Sequence, residues 1–197
     1  MKLKNYSDSA ERNKTHIYKK LKEFFYSGVS VLEVGSGSGQ HGIYFSSKFK
    51  NISWQFSEVE LTLPSLIANV RLEIGNQLTP VLLDVGTYDW YSCKFDMIYT
   101  ANTLHIMTDN QLSNLLRGIK HSLHSGGKFI VYGPFNYNNS YTSPGNKEFD
   151  EILRSRRQGS YIKSFDKINH KLKDDGFSLI NDIMMPMNNR LLIWEYS

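Results

Sequence analysis

The sequence predicts an α/β fold: one mostly parallel seven-stranded sheet, helices on both faces, and an antiparallel hairpin at the C-terminal end. Short β-branched runs alternate with amphipathic stretches as far as residue 132, which is the pattern of repeated βαβ units. A glycine turn, Gly35-Ser36-Gly37-Ser38-Gly39, follows the first run, where a buried strand must swing sharply into a helix. The last two runs are separated only by Pro186-Met187-Asn188-Asn189, too short for a crossover helix, so they must pair antiparallel. With 197 residues, 40% of them hydrophobic, the chain suits one well-cored domain over 1–197.

The elements follow in order. Ile17, Leu21 and Phe24 recur at helical spacing, giving a first helix near residues 10–26. Ser30-Val31-Leu32-Glu33-Val34 reads as a buried first strand feeding a helix from Gly39 to Lys48. Ile52 to Phe56 is the second strand; Thr62 is placed to cap a helix to about Glu73, with Pro64 in its first turn. Pro80 to Asp84 and Phe95 to Ala101 are the third and fourth strands. Beyond Asp109, a plausible cap, Leu112, Leu115, Leu116, Ile119 and Leu123 mark a helix that Gly126-Gly127 should stop before a fifth strand, Lys128 to Tyr132. A polar stretch from Gly133 to Asn146 and two short helices lead to strands Phe177–Met184 and Leu191–Tyr196. A dinucleotide-binding fold would spend its second half on another parallel βαβαβ set, which this ending does not provide.

Composition narrows the function classes. The single cysteine, Cys93, rules out an internal disulfide framework, a multi-cysteine zinc site and a three-cysteine iron–sulfur cluster, and suits a reducing, cytoplasmic setting. No apolar stretch approaches the roughly 18 residues needed to cross a bilayer, and the polar start lacks the apolar core of a signal peptide, so we expect a soluble, unexported protein. The 23 basic residues against 19 acidic ones are spread along the chain and do not demand nucleic acid. Arg154-Ser155-Arg156-Arg157 reads as a solvated helix end in preference to a phosphate site.

The glycine turn lets a ligand approach the backbone, but this is generic, because Gly37, Gly39 and Gly42 also meet the GxGxxG spacing of nicotinamide or flavin sites. Glu33 separates the readings. Two residues before the first glycine, its acid would repel a pyrophosphate and welcome a cation, and S-adenosylmethionine carries an α-ammonium and a sulfonium. An ionised glutamate near the end of a buried strand needs a partner. Glu58, following the second strand, stands where an acid reaches both ribose hydroxyls, with Ser57 as a competitor. Asp84 is suited to accept from the adenine amine while the Val85 backbone touches the ring; a turn-forming role is equally open.

With these residues in view, the chain resembles the domain-of-unknown-function family 938, also called methyltransferase-like protein 26, within the class I methyltransferases. The marks are Glu11-Arg12-Asn13-Lys14, Val31 to His41 around the glycine turn, Trp54-Gln55, Ala101-Asn102-Thr103-Leu104-His105-Ile106, Tyr132-Gly133-Pro134-Phe135 and Pro186-Met187-Asn188-Asn189. They span nearly the whole length. Glu58 stands where an aspartate is usual, and Arg156 to Tyr161 lacks an expected Arg-Asp-Pro and tryptophan. The resemblance implies a Rossmann-like class I methyltransferase sandwich and S-adenosylmethionine as cofactor, with S-adenosylhomocysteine as product, but not an acceptor. The expected cofactor residues are Glu33, Gly35, Ser36, Gly37, Gly39, Glu58, Asp84, Val85, Thr100 and Asn102.

Methyl transfer is an in-line displacement at an already activated carbon, so the protein chiefly orients and excludes water. Ligands of such a sheet lie beyond the carboxyl ends of its strands, which selects Asn102 to Ile106 and Gly133 to Tyr137 as acceptor walls and Glu11 to Lys14 as a lid. His105 is the candidate base, against a role fixing its own turn. Arg12, Asn13, Tyr132, Pro134 and Phe135 are the further substrate-side candidates, while His41 reads as packing or cofactor-adjacent. The Asn/Asp-Pro-Pro-aromatic motif of exocyclic-amine methylation and the prolyl-cysteine of cytosine methylation are absent. The expectation is a small-molecule acceptor with no metal, no nucleic acid and no membrane, in a monomer or homodimer. A non-catalytic cofactor-binding module and an NAD(P)-binding oxidoreductase are the alternatives.

Overall fold

Burial decides which apolar runs become central strands. Val31, Leu32 and Val34 are at most 2% exposed, and as β1 (Ser30–Val34) they pair in parallel with β2 (Ser53–Glu58) on one side and β4 (Phe95–Ala101) on the other. The computed structural model describes residues 3–71, 77–87, 90 and 93–197. With β3 (Gln77–Leu82), β5 (Leu123–Gly133), β6 (Phe177–Met185) and β7 (Asn189–Tyr196), the sheet runs β3-β2-β1-β4-β5-β7-β6. It is parallel through β5, and β7 lies antiparallel to both β5 and β6, the second pairing being what the short Pro186–Asn188 connection requires. This is the Rossmann-like methyltransferase sandwich with its closing hairpin.

Alternation along the strands divides the interior into two cores. Val31 and Met97 face the side of α1 (Asp8–Leu21), α2 (Gln40–Lys48) and α3 (Leu63–Val70), packing with Ile17, Phe45 and Leu66. Leu32 and Ile98 face α4 (Asp109–Ser122) and α6 (Phe165–Asp174), packing with Leu115, Ile119 and Leu172. A further helix, α5 (Pro144–Arg156), follows β5. The strand order reverses between β1 and β4, the crevice where ligands of open α/β sheets bind.

Several boundaries differ from the sequence expectation. The first helix is shorter: Ser7 caps it by accepting from the Ala10 amide, and a 3₁₀ turn at Lys22–Phe24 replaces its last part. β2 reaches two residues further, so Glu58 closes the strand, and β3 ends before Asp84. Thr62 precedes α3 but makes no side-chain cap, and the expected end at Glu73 lies outside the described residues. The cap of α4 is Thr108, whose hydroxyl accepts from Gln111 while the Gln111 amide oxygen accepts from Thr108, so Asp109 is displaced by a reciprocal capping box. That helix stops at Ser122 rather than at the glycines, because Leu123 already pairs with Phe95; Gly126 and Gly127 lie in the irregularity before Lys128 pairs with Met97. Among the described residues no helix is long and apolar enough to cross a membrane.

Candidate active site

The turn after β1 is tight enough to name its own residues. Gly35 has φ +71°, and a Cβ there would come within 2.6 Å of Thr103 Cγ2. Gly42, the first-turn glycine of α2, is excluded from bearing a side chain by Trp54, whose Nε1 would lie 2.2 Å from its Cβ. The turn is stitched to β2 by Ser36 N donating to Ser57 O (2.9 Å) and Ser57 Oγ donating to Glu33 O (2.7 Å). Ser57 is fully buried in that role and lines neither cavity.

Two cavities meet at Gly35. The larger, about 470 Å³, is bounded by Val34, Glu58, Glu60, Leu83, Asp84, Val85, Thr103, Ile106, Met107, Gln111 and Arg157. The smaller, about 100 Å³, is bounded by Ser7, Ser9, Ala10, Glu33, Ser36, Gly37, Ser38, Gln40, His41, Ala101 and Asn102. One is walled by aliphatic side chains together with the acids Glu58, Glu60 and Asp84; the other is smaller and lined mostly by polar residues.

Glu58 accepts from Gly37 N at 2.7 Å and from Val59 N at 2.9 Å, so it braces the glycine turn while facing the larger cavity. Asp84 Oδ1 accepts from Gly86 N at 2.7 Å, a local turn, at the wall of the same cavity; the turn-forming role and the cavity position coexist. Val85 contributes its buried side chain, since its carbonyl is taken by Asn114.

Glu33 is 2% exposed, and its partner is no cation: Trp54 Nε1 donates to its Oε2 at 3.0 Å. Burial, opposed by hydrogen bonds from Trp54, Ser36 and the Gly42 backbone and reinforced by the charge of Glu58, pushes its carboxyl up to about 8, so the acid expected to be ionised is held neutral at pH 7.

The N-terminal segment roofs the smaller cavity. Ser7 N and Ser38 Oγ both donate to Gln40 Oε1, and Gln40 Nε2 donates to Glu11 Oε2 at 3.0 Å. Asn69 holds Lys4 through both its backbone groups and reaches Ser38 O. Asn13, buried, shares a 2.6 Å hydrogen bond with His41 Nε2 and also bonds the Tyr132 hydroxyl. Tyr99 Oη lies 3.2 Å from His41 Nδ1. Desolvation lowers His41 to about 4, and a neutral ring that donates from Nε2 and accepts at Nδ1 satisfies both neighbours. Arg12 is exposed, outside both cavities.

At the tip of β4, Asn102 takes φ +58° and anchors to β5 through its amide and Tyr132 O (2.8 Å). His105 follows in a 3₁₀ turn, 8% exposed, edge-on to Phe149. Its Nδ1 and Asn102 Oδ1 lie 4.0 and 3.9 Å from the position a Cβ on Gly133 would take, so two polar atoms converge at the end of β5. Burial, then the charge of Lys163, lowers His105 to about 4. The remaining expected positions separate. Thr100 is fully buried, donates to Val34 O at 2.8 Å and pairs with the Thr103 hydroxyl; it ties β4 to β1, and Thr103 takes its place at the cavity. Phe135, 1% exposed, belongs to the core on the α4 side, and Pro134 is buried beside it. Tyr132, 3% exposed, accepts from Asn189 Nδ2 at 3.1 Å.

Sequence reasoning passed over Trp54 as a partner of Glu33, although a buried indole N–H demands an acceptor. It also passed over Gln40, Asn69 and Lys163, and read Arg157, which lines the larger cavity, as part of a solvated helix end. Buried Lys163 donates to Met107 O (2.7 Å) and Gly159 O (3.3 Å), while Tyr161 N donates to His105 O at 2.9 Å, so the α5–α6 connection buttresses the His105 turn. No local pattern signals these long-range bonds.

A family model described as a protein of unknown function (DUF938) matches residues 4–196. The chain belongs to the DUF938 family. Among solved structures, this DUF938 chain is similar to the pyocyanin biosynthetic protein PhzM, at 15% identity and TM-score 0.77 over 95% of this chain and 56% of that one. It is similar also to a putative O-methyltransferase from Nostoc punctiforme PCC 73102, at 18% identity and TM-score 0.80 over 94% and 56%. A third likeness is to magnesium protoporphyrin IX methyltransferase from Synechocystis PCC 6803 with bound SAH, at 17% identity and TM-score 0.74 over 95% and 83%. The chain thus spans 56% of the length of the first two, and at these identities the likeness is one of fold.

Proposed function

We propose that this DUF938 protein is an S-adenosylmethionine-dependent methyltransferase acting on a small-molecule acceptor in the cytoplasm, as a monomer or homodimer. The observation that carries the reading is the pair of cavities joined at Gly35, with Glu58 and Asp84 on the larger and Glu33 on the smaller. A ligand that fits them has a flat adenosine portion at one end and a compact amino-acid portion at the other. A dinucleotide would instead bring its pyrophosphate beside the carboxyl of Glu33, which has no paired cation among the described residues, and this disfavours an oxidoreductase; Glu58 does not discriminate, because an acid there reaches the ribose of either cofactor. The fold shared with a methyltransferase solved with bound SAH supports the same choice.

When bound, the cofactor supplies a methyl group already activated by a sulfonium. The chain's residues do the rest. Glu58 accepts from ribose hydroxyls, Asp84 from the adenine amine, and Glu33 faces the α-amino group, while Val34, Leu83, Val85 and Met107 form the apolar walls of the adenosine cavity. The N-terminal segment covers the smaller cavity and excludes water. His105, neutral at pH 7 because its pKa is lowered to about 4, accepts the proton that a hydroxyl or amine acceptor gives up, and Asn102 Oδ1 orients the same group.

The test is incubation with S-[methyl-³H]adenosylmethionine and small-molecule cell extract. Transfer of label that Glu33→Ala abolishes is expected. Tight binding of cofactor with no transfer would replace the enzyme by a non-catalytic binding module, and saturable binding of NAD without binding of S-adenosylmethionine would overturn the reading.

A further inference from the structure

Glu33 is an unusual carboxyl group in its surroundings. It sits on β1, 2% exposed, at the wall of the smaller cavity. Its visible partner, the Trp54 indole N–H at 3.0 Å, is neutral, and no lysine, arginine or histidine forms an ion pair with it among the described residues. The groups packed around it add negative or no charge. Glu58 on β2 raises its pKa, and Tyr99 on β4 is held protonated by burial. His41 on α2 is neutral, with its pKa lowered to about 4. On α1, Lys14 is paired with Glu11 at 2.5 Å. Ser36 and the Gly42 backbone also hydrogen-bond the carboxyl, but like Trp54 they are neutral, and burial outweighs them: an ion in that position costs several kcal/mol of desolvation when no cation is paired with it.

We propose that Glu33 carries a proton while the cleft is empty and releases it to solvent as the α-ammonium of the cofactor enters, making cofactor binding proton-coupled. The inference rests on the function proposed above. The exchange balances: a carboxylic acid and a free ammonium become a buried carboxylate–ammonium pair plus one proton in solution. It follows that the site is electrically neutral when empty and stays so at this end when filled, so no bare charge is stranded in the interior at either stage. Trp54 has a positioning role, because its indole N–H donates to the carboxyl oxygen at 3.0 Å and can do so whether or not the group carries the proton.

Calorimetric titration with S-adenosylhomocysteine at pH 7 in phosphate and in Tris, whose ionisation enthalpies differ, reads the proton directly. The expected result is a buffer-dependent heat corresponding to about one proton released per ligand, and an affinity that tightens about tenfold from pH 6 to pH 7, one proton giving one decade per pH unit. Methylthioadenosine, which lacks the α-amino group, binds with no buffer dependence. Glu33→Gln keeps the shape and the Trp54 bond, and its weaker binding shows neither buffer nor pH dependence. Equal heats in both buffers and a flat pH profile for the wild-type protein overturn the proposal even if the variant does not fold. Absence of any S-adenosylhomocysteine binding by the wild-type protein overturns the cofactor assignment instead.

Discussion

Gly35→Ala is the substitution whose consequence the geometry fixes most fully. At φ +71° a residue with a Cβ costs about 1–2 kcal/mol relative to glycine. The new Cβ also falls 2.6 Å from Thr103 Cγ2, an overpacking that costs about 1–3 kcal/mol. Thr103 cannot rotate away cheaply, because its hydroxyl is bonded to Thr100, which in turn holds Val34 O. The total is a loss of about 2–5 kcal/mol. Thr103→Ser keeps the hydroxyl and removes the offending methyl; alone it costs about 1 kcal/mol of burial, but in the Gly35→Ala background it relieves the clash. Equilibrium urea unfolding of the four proteins, followed by circular dichroism, gives the coupling. We expect a coupling of about 1–3 kcal/mol in favour of the double variant, while the φ-dependent part of the Gly35→Ala loss persists. A coupling under about 0.5 kcal/mol would mean that Thr103 does not press on the turn, and the description of how the two cavities join would be wrong.

Glu58→Ala removes a charged acceptor of ribose hydroxyls, worth about 1.5–3 kcal/mol, so the S-adenosylhomocysteine Kd should rise by about 10- to 100-fold in calorimetry; an unchanged Kd contradicts its assignment. His105→Phe should lower kcat about 10²- to 10⁴-fold with cofactor Kd unchanged, and an undiminished kcat would reduce His105 to a residue of its turn. Because His41 and His105 are held near 4, below the unfolded value of 6.5, the unfolded chain takes up the protons first. Stability therefore falls as pH drops from about 6.5 toward 4, and His41→Phe should flatten part of that slope in thermal melts. Glu33 has the opposite sign. Its folded pKa near 8 exceeds the unfolded 4.5, so its contribution is intact below about 4.5 and lost as pH rises to 8, and Glu33→Gln should gain stability over wild type between pH 5 and pH 8. Asn13→Ala removes the 2.6 Å bond to His41 and should cost about 1–3 kcal/mol, with amide exchange accelerated in α1 before the rest of the chain.

What could be read in advance was whatever local chemistry controls. The alternation of β-branched runs with amphipathic stretches yielded the strand sequence, and the four-residue break after Met185 yielded the hairpin. The glycine turn and its flanking acid placed the crevice, because both depend on neighbours a few residues away. Boundaries shifted where two signals competed. Thr108 with Gln111 outranked Asp109 as a cap, and strand pairing at Leu123 ended α4 before Gly126 could. The site's supporting contacts were illegible because they are long-range. Trp54 reaches Glu33 across the sheet, Asn13 reaches His41 from another helix, and Lys163 reaches under the His105 turn from beyond α5. Phe135 illustrates the converse: an aromatic beside a strand end looked like an acceptor wall, yet two residues past the end of β5 it packs into the same core as Phe129 and Val131.

The most direct measurement is diffraction from crystals grown with S-adenosylhomocysteine. The account requires adenosine density in the larger cavity, ribose hydroxyls within hydrogen-bond distance of Glu58, and the α-amino group in the smaller cavity facing Glu33 beneath the N-terminal segment. An empty crevice at saturating ligand, or density for a nucleotide phosphate lying against Glu33, contradicts it.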